Sequence, residues 1–253
     1  MKTLVCSENA IHSGNLILVN AQYPYHAEAT KNNLTTVGPE NAGIMLEHRA
    51  STLLSQLING LGGWEKITPV SGWRSFQEQQ QIYDQSLLEN GADFTEKFVA
   101  KPGHSEHQTG LAIDLGLKKE KIDFIRPDFP YAGICQLFRD KAVEYGFIER
   151  YPKGKESITG IAHEPWHFRY IGAPHAAIMT EINLTLEEYH SFLKEFLYGK
   201  NSFEFQNGHQ RVGISYLKAQ INKDTLFEME DGLPYSISGN NSDGFILTQW
   251  KNN

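Results

Sequence analysis

"GHSEHQTGLAIDLGL", Gly103 to Leu117, places His107 and Asp114 seven residues apart on either side of Gly110. Its second half alternates, with Leu111, Ile113 and Leu115 on one face and Ala112 and Asp114 on the other. That is the period of a β-strand with one apolar face, and it predicts a strand over 111–117. Asp114 then points away from the main apolar layer. A second such stretch is "HEPWHFRYIG", His163 to Gly172, in which Trp166, Phe168 and Tyr170 alternate with His167 and Arg169. His167 therefore also points off the aromatic face of its strand.

Between these strands and before them the pattern changes to a helical one. Leu46, Ala50, Leu53, Leu54, Leu57 and Leu61 follow the helical period in a segment that opens after Gly38-Pro39 and closes at Gly62-Gly63, which predicts a supporting helix. "KITPVSGWR" reads as a short strand, and Pro69 assigns it to a sheet edge or a bulge, because proline cannot donate to the ladder. In "SFQEQQQIYDQSLLENG", Ser75 and Glu78 form a capping box and Gly91 supplies the stop. Arg74 is thereby placed at a strand-to-helix corner, where a side chain points into open space. A further helix is predicted from Gln136 to Tyr145, ending at Gly146, and another from the capping box Thr185–Glu188 to about Tyr198. From Lys200 onward, alternation in "RVGISYL", "PYSIS" and "GFILTQW" with the turn-rich "GNNSDG" predicts a small β-rich appendage. The expected organisation is a main domain over 1–199 and an extension over 200–253. The fold class expected is α+β, a central antiparallel sheet with helices around it.

Composition narrows the function. The chain of 253 residues is 40% hydrophobic, enough to bury a full core. A net charge of −7 argues against a nucleic-acid or anionic-membrane surface, which needs clustered Lys and Arg. No run of eighteen apolar residues occurs, and "MKTLVCSENAIHSGNLILVN" lacks the apolar core and cleavage site of a secretory signal, so a cytoplasmic protein is expected. Cys6 and Cys135 are too few for a disulfide framework or a Cys-rich zinc site. The ten histidines are the more informative count.

A single histidine on a strand is more often structural than a ligand. Here His107, Asp114 and the pair Glu164-x-x-His167 supply two imidazoles and one or two carboxylates, all on polar faces or loop ends of otherwise core-like sequence. Two imidazoles and one carboxylate make a three-ligand zinc site with a fourth position left for water, the arrangement of catalytic zinc. Hydrolysis then needs a proton shuttle, and Glu164 is the candidate. Pro165 separates it from His167 and can turn its carboxylate toward the water. Arg74 suits stabilisation of the oxyanion, its alternative being a surface ion pair.

These stretches, "SGWRSFQEQ", "PGHSEHQTGLAIDL" and "EPWHFRYIG", resemble the D-alanyl-D-alanine carboxypeptidases and dipeptidases of the VanY, VanX and VanXY group. That family carries S-x-H-x-x-G-x-A-x-D and E-x-x-H, and Ser105, His107, Gly110, Ala112, Asp114, Glu164 and His167 fill every fixed position. The likeness extends from "NLILVN" to near Tyr198, and within the group the chain looks most like VanXY members of the D-Ala-D-Ser (VanG) glycopeptide-resistance type. The resemblance implies a Hedgehog/D,D-peptidase-like zinc fold, Zn2+ on His107, Asp114 and His167, Glu164 as general base and acid, and Arg74 on the oxyanion. It implies that Gln79 and Ser105 contact substrate, against the alternatives of a solvated helix residue and a turn cap. The implied substrates are D-Ala-D-Ala and the pentapeptide precursor, in support of vancomycin resistance. The competing readings are an endolysin-like L-alanyl-D-glutamate peptidase and a non-catalytic peptidoglycan-binding module.

Overall fold

The computed structural model describes residues 1–26, 33–38, 43–208 and 210–251. Pro39, taken above as part of a helix-opening signal, lies outside them. In chain order the elements are β1 (Lys2–Cys6), β2 (Leu34–Thr36), β3 (Met45–Glu47), α1 (His48–Gly60), β4 (Ile67–Ser71), α2 (Phe76–Asn90) and α3 (Ala92–Phe98). Then come β5 (Ala112–Leu117), α4 (Gly133–Ala142), β6 (Phe147–Tyr151), α5 (Glu156–Thr159), β7 (Glu164–Tyr170), α6 (Ala173–Glu181) and α7 (Leu186–Leu193). The last five strands are β8 (Phe203–Asn207), β9 (Gln210–Lys218), β10 (Thr225–Met229), β11 (Tyr235–Gly239) and β12 (Gly244–Lys251).

The chain divides into two compact units, residues 19–185 and residues 1–18 with 186–253. In the first, a four-stranded antiparallel sheet has the order β4-β5-β7-β6. Proline's missing donor puts β4 at the edge, with a bulge between Pro69 and Ser71. The apolar face of this sheet, Ile113 and Leu115 of β5 with Phe168 and Tyr170 of β7, packs on Leu54, Leu57 and Ile58 of α1 and on Phe138 of α4. Each such buried side chain stabilises the unit by roughly 1.5–3 kcal/mol relative to exposure. The fold is α+β, and its antiparallel sheet and helices are those expected.

Element ends differ where caps decide them. Leu46 belongs to β3, and α1 starts only at His48, because the Glu47 carboxylate accepts from the amides of Arg49 and Ala50 and so caps the helix there. The capping box of α2 forms as expected, Ser75 Oγ accepting from Glu78 N and Glu78 Oε2 from Ser75 N, and Gly91 ends the helix at φ +82°. Helix α4 begins three residues before Gln136, and its end tightens into a 3-10 turn at Val143–Tyr145 before Gly146.

The second unit contains the sheet β11-β12-β9-β8 and the pair β1-β10, around Cys6, Phe227, Met229, Phe245 and Leu247. Strands are therefore present after residue 200, but the compact unit does not begin there. β1 pairs with β10, Lys2 opposite Met229 through Cys6 opposite Thr225, so the N-terminal strand shares this core. Helix α7 also belongs to it and stops at Leu193, short of Tyr198. Beyond the helix Leu197 forms a parallel bridge to Tyr216, and the Tyr198 amide donates to the Tyr216 carbonyl. Among the described residues, no helix is long and apolar enough to cross a membrane.

Candidate active site

β5 and β7 run antiparallel with Asp114 directly opposite His167 and Ile113 opposite Phe168. Opposed residues point to the same face with Cβ atoms about 5 Å apart, so the register that sends Ile113 and Phe168 into the core sends Asp114 and His167 out of it together. His107 reaches them from a 3-10 turn, Glu106–Thr109, that precedes β5. Gly110 joins turn to strand at φ +74°, and its carbonyl accepts from Glu47 N. The other wall is the end of β4, where Ser71 lies opposite Asp114 and the Gly72 carbonyl accepts from His107 Nδ1 at 2.7 Å.

That last bond fixes the tautomer: with its proton on Nδ1, His107 presents the Nε2 lone pair to the site. Burial, with Arg74 adding to it, pulls the His107 pKa down to about 4 and keeps the ring neutral. Asp114 Oδ2 lies 3.1 Å from His107 Nε2, and Asp114 Oδ1 lies 3.0 Å from His167 Nδ1. One ligand atom from each of His107, Asp114 and His167 lies within 4.8 Å of the others, and all three residues are buried. Burial raises the Asp114 carboxyl, but the two imidazoles outweigh it and hold the carboxyl well below the carboxylate range. Asp114 Oδ1 and His167 Nε2 are buried without a hydrogen bond. Two imidazoles and one ionised carboxylate, one of whose oxygens is buried without a hydrogen bond, fit a divalent cation of the zinc type.

Glu164, at the start of β7, is buried, with Oε2 3.6 Å from His167 Nδ1. Burial drives its pKa up to about 8, even with His167 beside it. Arg74 does not point into open space from its corner. It folds inward, donating from Nε to Ser71 Oγ at 2.7 Å, from Nη1 to Gln79 Oε1 at 3.1 Å and from Nη2 to Asp114 Oδ2 at 3.0 Å. Its Nη2 also donates to His107 Nε2 at 3.2 Å. A surface ion pair is thereby excluded. Gln79 is not a solvated helix residue either: it is 1% exposed, and its amide donates to the Ala100 carbonyl at 2.7 Å. Ser105 is buried and its side chain makes no cap bond to the turn that follows. Arg74, Gln79, Ser105, His107, Asp114, Glu164 and His167 all line one cavity of about 40 Å3. Cys135 lies instead within the apolar core.

Sequence reasoning missed Glu106. It is fully buried, Oε1 accepting from Arg150 Nε at 2.8 Å and pairing with Arg169 Nη1 at 2.9 Å, while Oε2 lies 3.6 Å from His167 Nε2. The signal was Arg169, on the same strand face as His167. A buried guanidinium demands an acid partner.

Comparison with known proteins matches the VanY D-alanyl-D-alanine carboxypeptidase family over residues 44–173. The bifunctional D-Ala-D-Ala dipeptidase and carboxypeptidase VanXYC of Enterococcus gallinarum is 41% identical over 71% of this chain and 95% of its own length. The vancomycin-resistance D,D-dipeptidase VanXYg, solved with a D-Ala-D-Ala phosphinate analogue, is 48% identical, with a TM-score of 0.91 over 99% of both chains. The D,D-pentapeptidase VanY of a VanB-type cassette, solved with Zn(II), is 31% identical over 70% of this chain and 98% of its own, with a TM-score of 0.56.

Proposed function

The chain belongs to the VanY D-alanyl-D-alanine carboxypeptidase family, and from that premise we propose that it is a zinc-dependent D,D-peptidase. It hydrolyses free D-Ala-D-Ala and removes the terminal D-Ala from peptidoglycan pentapeptide precursors. His107, Asp114 and His167 would hold the zinc, which when bound acidifies a water toward neutral pH and polarises the scissile carbonyl.

The other residues handle protons and charge. Glu164 takes the proton that the attacking water loses as the carbon–oxygen bond forms, and delivers it to the amine as the carbon–nitrogen bond breaks. Arg74 faces the oxygen on which negative charge develops. Ser71 and Gln79 occupy the other donors of its guanidinium and so fix its direction. Ser105, on the cavity wall, contacts the terminal residue of the peptide.

The observation that carries this reading is the meeting of His107, Asp114, His167, Glu164 and Arg74 in one buried cavity. Likeness to VanXYC and VanXYg supports the bifunctional type. Clearing precursors that end in D-Ala-D-Ala leaves D-Ser-ended ones, which vancomycin binds poorly, and the protein would support resistance in that way from the cytoplasm. Cell fractionation tests the compartment.

The decisive experiment measures zinc content beside rates on D-Ala-D-Ala, D-Ala-D-Ser and the pentapeptide. One zinc per chain and cleavage of both D-Ala-ended substrates are expected. Protein that holds no zinc, or that cuts no D-amino-acid peptide, overturns the reading. Cleavage of an L-Ala-D-Glu bond in their place would give the endolysin-like activity. A module that only bound peptidoglycan would need neither the proton shuttle of Glu164 nor the cation of Arg74.

A further inference from the structure

Glu164 and His167 are three residues apart on β7, and in an unbroken strand residues at that spacing point to opposite faces. By that alternation Glu164 would join Trp166, Phe168 and Tyr170, which pack into the apolar core. Instead its carboxylate lies 3.6 Å from His167 Nδ1 and lines the same cavity. A bulge accounts for the change of face. Glu149 and Tyr151 of β6 stand opposite Phe168 and Glu164, so three residues of β7, Pro165 to His167, are fitted opposite Arg150 alone. On its other side β7 pairs with β5 only from His167 onward. Pro165 therefore stands opposite no residue of either neighbour, and it has no N–H by which a strand could hold it.

A side chain from outside the sheet grips this segment. Arg139, in the last turn of α4, donates from Nη2 to the Pro165 carbonyl at 2.6 Å. The same nitrogen donates to the Phe129 carbonyl at 2.6 Å, Nη1 to the carbonyls of Pro130 and Cys135, and Nε to Glu149 Oε2 at 2.8 Å. All five N–H groups of the guanidinium are thus engaged. Its plane is also packed against the Tyr131 ring, 4.0 Å from the ring centre. Arg139 does not line the site cavity, so it reaches the reaction only through the strand. We propose that Arg139 is a positioning residue for the hydrolysis: by gripping the Pro165 carbonyl it holds the bulge and aims the Glu164 carboxylate into the site. The assignment rests on the D,D-peptidase reading and adds to it what keeps the proton shuttle on the face of the metal ligands. His167 is secured separately, by its place opposite Asp114.

Arg139→Lys tests this, because it keeps a charge beside Glu149 while a single ammonium cannot engage that carboxylate and the Pro165 carbonyl together. With zinc added, kcat on D-Ala-D-Ala is expected to fall about ten- to a hundredfold. KM should stay within about twofold and zinc at one per chain, since only the proton-transfer group is displaced. Made in the Glu164→Gln background, the same change is expected to cost less than about twofold, because the group that Arg139 positions is already disabled. Arg139→Gln, which removes the cation as well, should show the same split. Equal losses in the two backgrounds mark a general effect on the fold and overturn the assignment, as does a parent-like kcat in Arg139→Lys. If neither variant yields folded protein that holds zinc, Arg139 serves the fold at large and the assignment also falls. These outcomes leave the D,D-peptidase reading standing, whereas a parent chain that cuts no D-amino-acid peptide overturns both.

Discussion

Glu106 Oε2 lies 3.6 Å from His167 Nε2, and both groups are buried. Because Oε1 is held by Arg150 and Arg169, the second oxygen is directed at the imidazole. It stands as a counter-charge beside Nε2, while Nδ1 faces Asp114 Oδ1 at 3.0 Å. Burial raises the Glu106 carboxyl, but the two guanidiniums outweigh it and hold its pKa well below the carboxylate range. A depressed folded pKa means that the stability from this carboxylate is present above the unfolded pKa of about 4.3 and is lost as pH falls below it. Glu106→Gln leaves two arginines without their counter-charge and should destabilise the chain by about 3–5 kcal/mol, read by urea unfolding at pH 7. The variant's unfolding midpoint should also change less between pH 5 and pH 3 than the parent's.

His167 links metal binding to pH. Burial lowers its pKa, but contact with the Asp114 and Glu106 carboxylates more than reverses this and raises it to about 9. Near neutral pH the ring is protonated before a cation arrives, and a ligand must be deprotonated to bind. Binding therefore expels a proton, so zinc affinity should climb about tenfold per pH unit from pH 7 toward pH 9. Chelator competition at several pH values measures this slope, and a flat profile would remove His167 from the ligand set.

Glu164→Gln keeps the shape and the buried position of the side chain while removing its proton exchange. Zinc stoichiometry should be unchanged, and kcat on D-Ala-D-Ala should fall about 10²–10⁴-fold. A variant of near-parent rate excludes Glu164 as the proton shuttle.

Arg74→Lys preserves charge and loses the fork that engages Ser71, Gln79 and Asp114 at once. The expected loss in kcat is about 10²–10³-fold, with folding retained. Gln79→Leu removes one brace from a guanidinium that keeps its other partners. It should cost less, about tenfold, and steady-state kinetics of the two variants side by side give that ranking.

How far these relationships were readable depended on their range along the chain. Period-two alternation was enough to place Asp114 and His167 on the polar faces of β5 and β7. It could not show that they stand opposite each other, because alternation identifies a face and not a partner. The capping box at Ser75 was legible because both of its bonds lie within one helical turn. Arg74 next to it was misjudged because Asp114, which draws the guanidinium inward, comes from a distant strand. Glu106 has no signal within its own turn, because Arg150 and Arg169, which hold it, come from β6 and β7. The pairing of β1 with β10 left no local trace beyond a short alternating "KTLVC".

Gly110 answers why the chain sets His107 and Asp114 seven residues apart. The 3-10 turn that carries His107 must reverse into β5 within two residues, and Gly110 makes the reversal at φ +74°, a conformation that a side chain disfavours. Space forbids a side chain as well, since a Cβ there would lie 2.9 Å from Leu34 Cδ2 and 3.1 Å from the Glu47 amide nitrogen. That amide donates to the Gly110 carbonyl at 2.8 Å, and the Glu47 carboxylate caps α1, so displacing Glu47 disturbs both the turn and the helix start. Gly110→Ala should therefore destabilise the chain by about 1–3 kcal/mol. It should also weaken zinc binding, because the shift moves His107 relative to Asp114. Thermal unfolding with and without zinc separates the two effects: the stabilisation on adding zinc should be smaller in the variant than in the parent. An equal increment in both would confine Gly110 to a folding role.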